Sequence, residues 1–397
     1  MTARVLAVLA TLVCASPANA DWVASWAASS DTPAPSLAGQ SVRQIVRISL
    51  GGTRVRLRLS NLLGTAPLVI GPVHVAKQAK GSAIEPGSDR AVTFAGKAVV
   101  TIAKGAEVTS DPIALDVRAF VHLSVSVYVA AGAGGSTTHS FANQPAYIAP
   151  GDVTAAPRFP DGPVASNRFF VDRIDVDATS GAHAIVAFGD SITDGVGSTP
   201  EHDTRWPDQL ASRLATDPAL ATIAVVNSGI GGNRILHEAA KPFAGASALS
   251  RFDRDVASQP GARWVVLLEG INDIAASDLL GDPSIAVSAK QLTDGLASIA
   301  ERAHAKNLKI AVATLLPYGG VDRPYHSAIG ETKRLAVNAW IRSSKAFDAI
   351  IDFERVMRDP AHPDRMLPAF DSGDHLHPSD AGYKAMADSI DVHLFSR

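Results

Sequence analysis

A single cysteine, Cys14, occurs in the 397 residues, so the chain beyond it has no disulfide, thiolate nucleophile or cysteine-bound metal. Aromatic residues are scarce at 6%, and charged residues at 19% fall below the usual quarter. There is no basic excess: 36 Lys and Arg face 39 Asp and Glu, a net charge of -3. Nothing therefore drives counterion release from a polyanion, which excludes nucleic-acid binding as the main activity. No polybasic run marks an anionic membrane surface. Beyond the first twenty residues no apolar run approaches the ~20 residues that a membrane span needs. Apolar residues are plentiful at 46%, enough for a large core that needs no cross-links.

The first twenty residues read as a cleaved export signal. Arg4 precedes an apolar stretch over 5–13, and Ala18-Asn19-Ala20 has the small-x-small form of a cleavage site. Val13 stands where a lipid-anchored Cys14 would be preceded by a small residue, which disfavours that alternative. The expectation is a secreted or periplasmic protein with no stable membrane anchor. Oligomeric state is left open.

Two periodicities divide the remainder. Over 121–129, Val and Leu alternate with His, Ser and Tyr, a period of two. Val55, Leu57 and Leu59 alternate with Arg54, Arg56 and Arg58 behind the turn-forming Gly51-Gly52. Further short runs near 44–50, 67–76, 91–95, 98–102 and 168–177 predict an all-β sandwich or jelly-roll-like domain over 21–180. The Pro- and Gly-rich stretch 150–163 reads as a surface loop. From 181 to 397 the pattern changes. Buried-strand runs at 184–188, 223–226, 264–268, 310–314 and 349–351 alternate with helical patterns. The clearest places Ile285, Ala289, Leu292, Leu296, Ile299 and Ala303 on one face; another runs through Leu335, Ala339 and Trp340. Pro378 is expected to open the last helix. This alternation predicts a three-layer α/β domain with a mainly parallel sheet.

Ligands of such sheets bind beyond the carboxyl ends of the strands, so the residues after each strand carry the chemistry. After the first comes Gly189-Asp190-Ser191-Ile192-Thr193-Asp194-Gly195, which can expose a serine hydroxyl on a tight turn and, taken alone, is also an ordinary turn. After the second comes Asn227-Ser228-Gly229-Ile230-Gly231-Gly232-Asn233, whose glycines let backbone N–H groups approach an oxyanion. It lacks the Gly-Lys-Ser/Thr ending of a phosphate-binding loop. After the third, Glu269-Gly270-Ile271-Asn272-Asp273 offers a side-chain amide, or an ordinary helix cap. Asp374-His375-Leu376-His377-Pro378 places an acid three residues before a histidine, so that the acid can fix the tautomer of a general base. His362, Asp371, Asp374, His375 and His377 also leave a metal site open.

Ser191, Gly232, Asn272 and His377 follow one another at steps of 41, 40 and 105 residues. This set resembles the SGNH hydrolases, also called the GDSL esterase/lipase family, whose four sequence blocks carry those four residues. The match covers about 181–397, and Arg205-Trp206-Pro207 is similar to the segment after the first block of many members. Trp22-Val23-Ala24-Ser25-Trp26 and Arg43-Gln44-Ile45-Val46-Arg47 resemble the β domain that precedes a secreted subgroup among plant-polysaccharide-degrading enzymes. The resemblance implies a flavodoxin-like SGNH fold, with Ser191 as nucleophile, His377 as general base and then acid, and Asp374 orienting His377. It implies an oxyanion hole of the Ser191 N–H, the Gly232 N–H and the Asn272 side chain, and no cofactor. His375 receives no role. The expected activity is hydrolysis of a short acyl ester, acetyl above all, on a carbohydrate. The alternatives are a lipid or aryl esterase of the same mechanism, and a carbohydrate-binding protein on an inactive hydrolase scaffold.

Overall fold

The computed structural model describes residues 21–131, 134–238, 244–322 and 324–396. The export-signal reading and Cys14 lie outside the described residues. Eight longer strands build the N-terminal region: β1 (Asp21–Ala27), β2 (Gln40–Arg47), β3 (Gly52–Ser60), β4 (Leu68–Lys80), β5 (Ile113–Val117), β6 (His122–Ala131), β7 (Ala146–Pro150) and β8 (Val171–Ala178). One sheet runs β1-β8-β3-β5, and a second has β7-β2-β6-β4 at its centre. A third, small sheet joins Arg168–Phe169, Ser136–His139 and Thr32–Ala34. All of these pairings are antiparallel. Val55, Leu57 and Leu59 from one sheet share a core with Val125, Val127 and Val129 from the other, so the period-two runs become the inward faces of a β sandwich. The outward arginines are also occupied. Arg56 pairs with Asp175 at 2.7 Å and lies over the Trp22 ring at 4.5 Å. The 150–163 stretch is not wholly surface, because Phe159 is buried beneath the Arg43 guanidinium at 4.4 Å.

The remainder is an α/β domain. Five parallel strands, β9 (His183–Gly189), β10 (Ile223–Gly229), β11 (Ala262–Leu268), β12 (Lys309–Ala313) and β13 (Ala349–Ile351), lie in the order β10-β9-β11-β12-β13. This is the 2-1-3-4-5 order of flavodoxin-like sheets. The helices fall into two packed groups. Trp206–Leu214 packs on Asp380–Ser389, and Ala289–Ala305 packs on Ala328–Ser343.

Three details differ from expectation. Ile285 lies outside its helix, because Ser288 and Gln291 form a capping box that starts the helix at Ala289. Val287 is buried in its place, one residue before the cap, as in a hydrophobic staple. In the helix Ala328–Ser343, Leu335 and Ala339 face solvent and Trp340 is half-buried. The buried face carries Arg334 and Asn338, which serve the Leu315 backbone through bonds to its carbonyl and N–H. A polar inward face defeats a reading based on apolar period. Pro378 precedes the last helix without opening it; Ser379 caps it by accepting from the Gly382 N–H.

The two regions are interlocked. The Ala24 N–H donates to the Pro260 carbonyl at 2.9 Å, and the Val225 N–H to the Ser49 hydroxyl at 3.1 Å. Asp203 receives the Gln144 amide at 3.0 Å and lies 2.8 Å from His122 Nε2. Trp26 is buried beneath Arg168 and lines a small crevice shared with Arg205 and Asn227.

Candidate active site

Sheet register places the predicted residues side by side. Gly189, the last residue of β9, is level with Gly229 of β10 and Leu268 of β11. Ser191 comes two residues past that level, Gly232 three and Asn272 four. The three segments thus leave the same sheet edge within one or two residues of each other.

Ser191 begins α1 (Ser191–Asp194), a single turn capped by the Asp190 side chain, which accepts from the Ile192 N–H. As first residue of that turn, its N–H has no partner within the helix. The turn sits so close to β10 that a Cβ on Gly229 would lie 2.3 Å from the Asp194 nitrogen. Asn227 clamps this contact: its amide donates to the Thr193 carbonyl at 2.7 Å, and its oxygen accepts the Gly229 N–H at 2.8 Å. Gly232 has φ +74°, a left-handed conformation that glycine adopts freely, and its N–H has no acceptor among the described residues.

His377 Nε2 lies 2.8 Å from Ser191 Oγ, and His377 Nδ1 lies 2.6 Å from Asp374 Oδ2. Asp374 also accepts the His377 and Leu376 N–H groups, at 2.8 and 2.9 Å. Burial raises the Asp374 carboxyl, but the bonds from the His377 ring and from these two N–H groups outweigh it and hold the group well below the usual carboxylate range. In this geometry the imidazole can take the serine proton while the carboxylate stabilises the imidazolium.

Asn272 Nδ2 donates to the Asn233 carbonyl at 2.9 Å, which ties its side chain to the glycine loop. Asp273 does not point into the site. Its carboxylate receives the Ile235 and Leu236 N–H groups and so organises the same loop from below. Four of the five candidates for a metal are used in pairs. Asp371 binds His375 Nδ1 at 2.6 Å and Asp374 binds His377, and among the described residues no three His, Cys, Asp or Glu side chains gather as a metal cage.

Several supporting residues carried no readable signal. The Arg251 guanidinium, fully buried against the Phe188 ring, donates to the Gly189 carbonyl at 2.9 Å, the Ser228 carbonyl at 2.7 Å and Asn233 Oδ1 at 2.9 Å. It thereby ties two strand ends to the glycine loop. Glu269 is 3.7 Å from the same guanidinium. Burial pushes its carboxyl well above the ordinary range, with Asp190 adding to the rise and Arg251 opposing it. The Tyr325 hydroxyl bonds Asn272 from the loop after β12. Arg251 and Tyr325 sit in no recognisable motif, and Glu269 lies in the third segment without a role assigned to it there.

A parallel sheet with a Ser-His-Asp chain and glycine and amide donors at its carboxyl edge defines a serine-hydrolase-type site. The model of the GDSL-like lipase/acylhydrolase family matches residues 187–385, half of the sequence, and the chain belongs to this family of ester hydrolases. None of the curated proteins compared matches it. Among solved structures it is similar to a GDSL-like lipase from Bacteroides thetaiotaomicron, at 20% identity over 53% of this chain and 87% of the other, with a TM-score of 0.39. An aryl esterase from M. smegmatis is 18% identical over 52% of this chain and 95% of its own, with a TM-score of 0.41. An acetylxylan esterase from Geobacillus stearothermophilus is 19% identical over 53% and 93%, with a TM-score of 0.40.

Proposed function

We propose that the protein is an exported serine esterase that transfers a short acyl group, acetyl above all, from a carbohydrate ester to water. The observation that carries this reading is the unbroken chain from Asp374 to His377 to Ser191, with contacts of 2.6 and 2.8 Å. Ser191 Oγ attacks the ester carbonyl as His377 Nε2 takes its proton. The tetrahedral oxyanion is held by the Ser191 and Gly232 N–H groups and the Asn272 amide. Collapse expels the alcohol, which receives the proton from His377. Water activated by the same ring then attacks the acyl-enzyme and releases the acid. No step calls for a cofactor.

Two clefts of mixed lining lie near the candidate residues. A cleft of 370 Å³ beside Asp374 is lined also by Asp322 and His375, and one of 520 Å³ beginning at Arg234 carries Glu238, Asp282 and Gln291 alongside Leu280 and Ile285. Export is supported by the pattern of residues 1–20. The buried Trp26 supports a bracing role for the 21–180 domain against the 181–397 domain.

Initial rates on p-nitrophenyl esters from acetyl to dodecanoyl, with Ser191→Ala alongside, test the reading. A serine-dependent rate that peaks at acetyl is expected. A serine-dependent peak at long chains overturns the substrate class, and turnover that survives in Ser191→Ala overturns the mechanism.

A further inference from the structure

The all-β region sends one side chain into the base of the candidate site. His139 ends the short strand Ser136–His139 and is buried with only 6% of its surface exposed. Its Nδ1 faces the Ser29 carbonyl at 2.8 Å, and its Nε2 faces Asp194 Oδ1 at 3.0 Å. A carbonyl only accepts, so Nδ1 donates; burial raises the Asp194 carboxyl while His139 lowers it, and where that carboxyl is ionised Nε2 donates as well and the ring is an imidazolium. The Asp31 carboxylate, 3.6 Å from Nδ1, adds a second negative charge. Arg205 and Arg168 are the cations that border the same crevice. Burial alone would discharge the ring, but Asp194 and Asp31 outweigh it and raise the group to about 9.

Asp194 is the last residue of the turn that Ser191 begins, and its other oxygen accepts the Gly231 N–H at 3.2 Å. One carboxylate thus joins three things: the imidazolium of the β region, the turn that carries the serine, and the residue before Gly232. We propose that His139 is a positioning residue for the oxyanion hole, holding Asp194 so that it anchors the Ile230–Gly231 peptide, the unit just before the one that carries the Gly232 N–H, relative to Ser191. The inference rests on the serine-esterase reading above. It gives the N-terminal region a part in turnover: the α/β domain holds the nucleophile, the base and the oxyanion donors, but the orientation of one of them is set from outside that domain. Loss of the cation frees Asp194 to turn or to take up a proton, and the Gly232 N–H then loses its preset direction. Such a defect weakens the transition state more than the bound ester, so it falls on kcat.

The test is p-nitrophenyl acetate kinetics on the full chain, with Ki for a boronic acid that mimics the tetrahedral state. Variants are His139→Ala, Asp194→Asn, Gln144→Ala and Ser191→Ala, with circular dichroism confirming the fold. Gln144→Ala removes a bond from the β region to Asp203 without touching Asp194, and so measures loosening of the interface alone. His139→Ala is expected to lower kcat roughly 10–100-fold, less than loss of a direct oxyanion donor, with KM within about threefold and Ki rising in parallel. Gln144→Ala should stay within about twofold of the parent. A His139→Ala enzyme with kcat within about twofold, a loss confined to KM, or an equal loss in Gln144→Ala overturns the proposal. Where His139→Ala does not fold, Asp194→Asn decides by the same criteria. Turnover surviving in Ser191→Ala would instead sink the esterase reading itself.

Discussion

The Tyr325 hydroxyl donates to Asn272 Oδ1 at 2.5 Å, while Asn272 Nδ2 donates to the Asn233 carbonyl at 2.9 Å. The amide therefore has its oxygen and one N–H committed, and one N–H is left for an oxyanion. Rotation of the amide by 180° would aim its oxygen at the Asn233 carbonyl, so the two contacts fix which end faces the reaction. Asn272→Ala is expected to lower kcat by about 10²–10³. Tyr325→Phe removes the orienting bond, worth about 1 kcal/mol, and should lower kcat about fivefold with KM nearly unchanged. Steady-state kinetics of both variants check this. Full turnover in Asn272→Ala would remove the residue from the hole, and an unchanged Tyr325→Phe would remove the orienting role.

Asp374 accepts three hydrogen bonds from the residues that follow it, and its carboxyl is held low by them. A depressed acid contributes its pairing at every pH above the ordinary carboxylate value, and loses it only as pH falls through the lowered one. A decline of activity between pH 7 and 5 therefore does not come from this group. Asp374→Asn presents an NH₂ to a ring N–H and favours the wrong tautomer, with an expected loss of up to about 10⁴ in kcat. His375→Ala breaks only an exposed contact to Asp371 and should leave kcat within about threefold. A large loss in His375→Ala with little loss in Asp374→Asn would mean that His375, not His377, serves Ser191.

Gly229 and Gly231 make a matched pair. A methyl group on Gly229 would meet the Asp194 nitrogen at 2.3 Å and the Thr193 carbonyl carbon at 2.8 Å, both backbone atoms that cannot swing aside. A methyl on Gly231 meets nothing within 4 Å. Gly229→Ala must push the serine turn away from β10, and a displacement of about 1 Å is enough to cost roughly 100-fold in rate. Gly231→Ala should keep most of the parent rate. Assays of the two proteins, read with their melting temperatures, decide: equal activity would mean that the turn yields without moving Ser191.

The contrast between these glycines marks the boundary of what the sequence shows. The strands of the parallel sheet were legible because both their faces are buried, which leaves continuous apolar runs such as 184–188. Three segments of the candidate site were legible because they leave one sheet edge, an arrangement that chain order preserves as widely spaced motifs. His139, Arg251 and Tyr325 were not legible, because each acts through a long-range contact with no local pattern. His139 meets Asp194 across 55 residues, and Tyr325 meets Asn272 across 53. The face through Leu292, Leu296, Ile299 and Ala303 was legible, whereas the face of the helix Ala328–Ser343 was not, for a related reason. Arg334 is fully buried because Glu331 and Glu354 lie within 2.6 and 3.4 Å of its guanidinium, a compensation invisible to an apolar count.

The His139–Asp194 pair also has a consequence for stability with a definite sign. The His139 ring is raised from an ordinary value of 6.5 to about 9, with burial opposed by Asp194 and Asp31. A group raised on folding contributes fully below its unfolded value and loses that contribution as pH climbs through the folded one. The window is therefore about pH 6.5 to 9, and the difference corresponds to about 3 kcal/mol at 1.36 per unit. The buried acids Asp190, Asp194 and Glu269, all raised, also weaken the fold as pH rises, so a falling melting temperature in the parent protein is not by itself diagnostic. The informative quantity is the difference between the parent and His139→Gln, which keeps polar contacts but cannot titrate. The variant should be less stable at pH 6, and the gap should narrow by pH 10. Calorimetric melting at both values measures it; a gap that is constant across the range would show that the ring titrates alike in the folded and unfolded chain, and one that widens with pH that the ring is neutral in the fold.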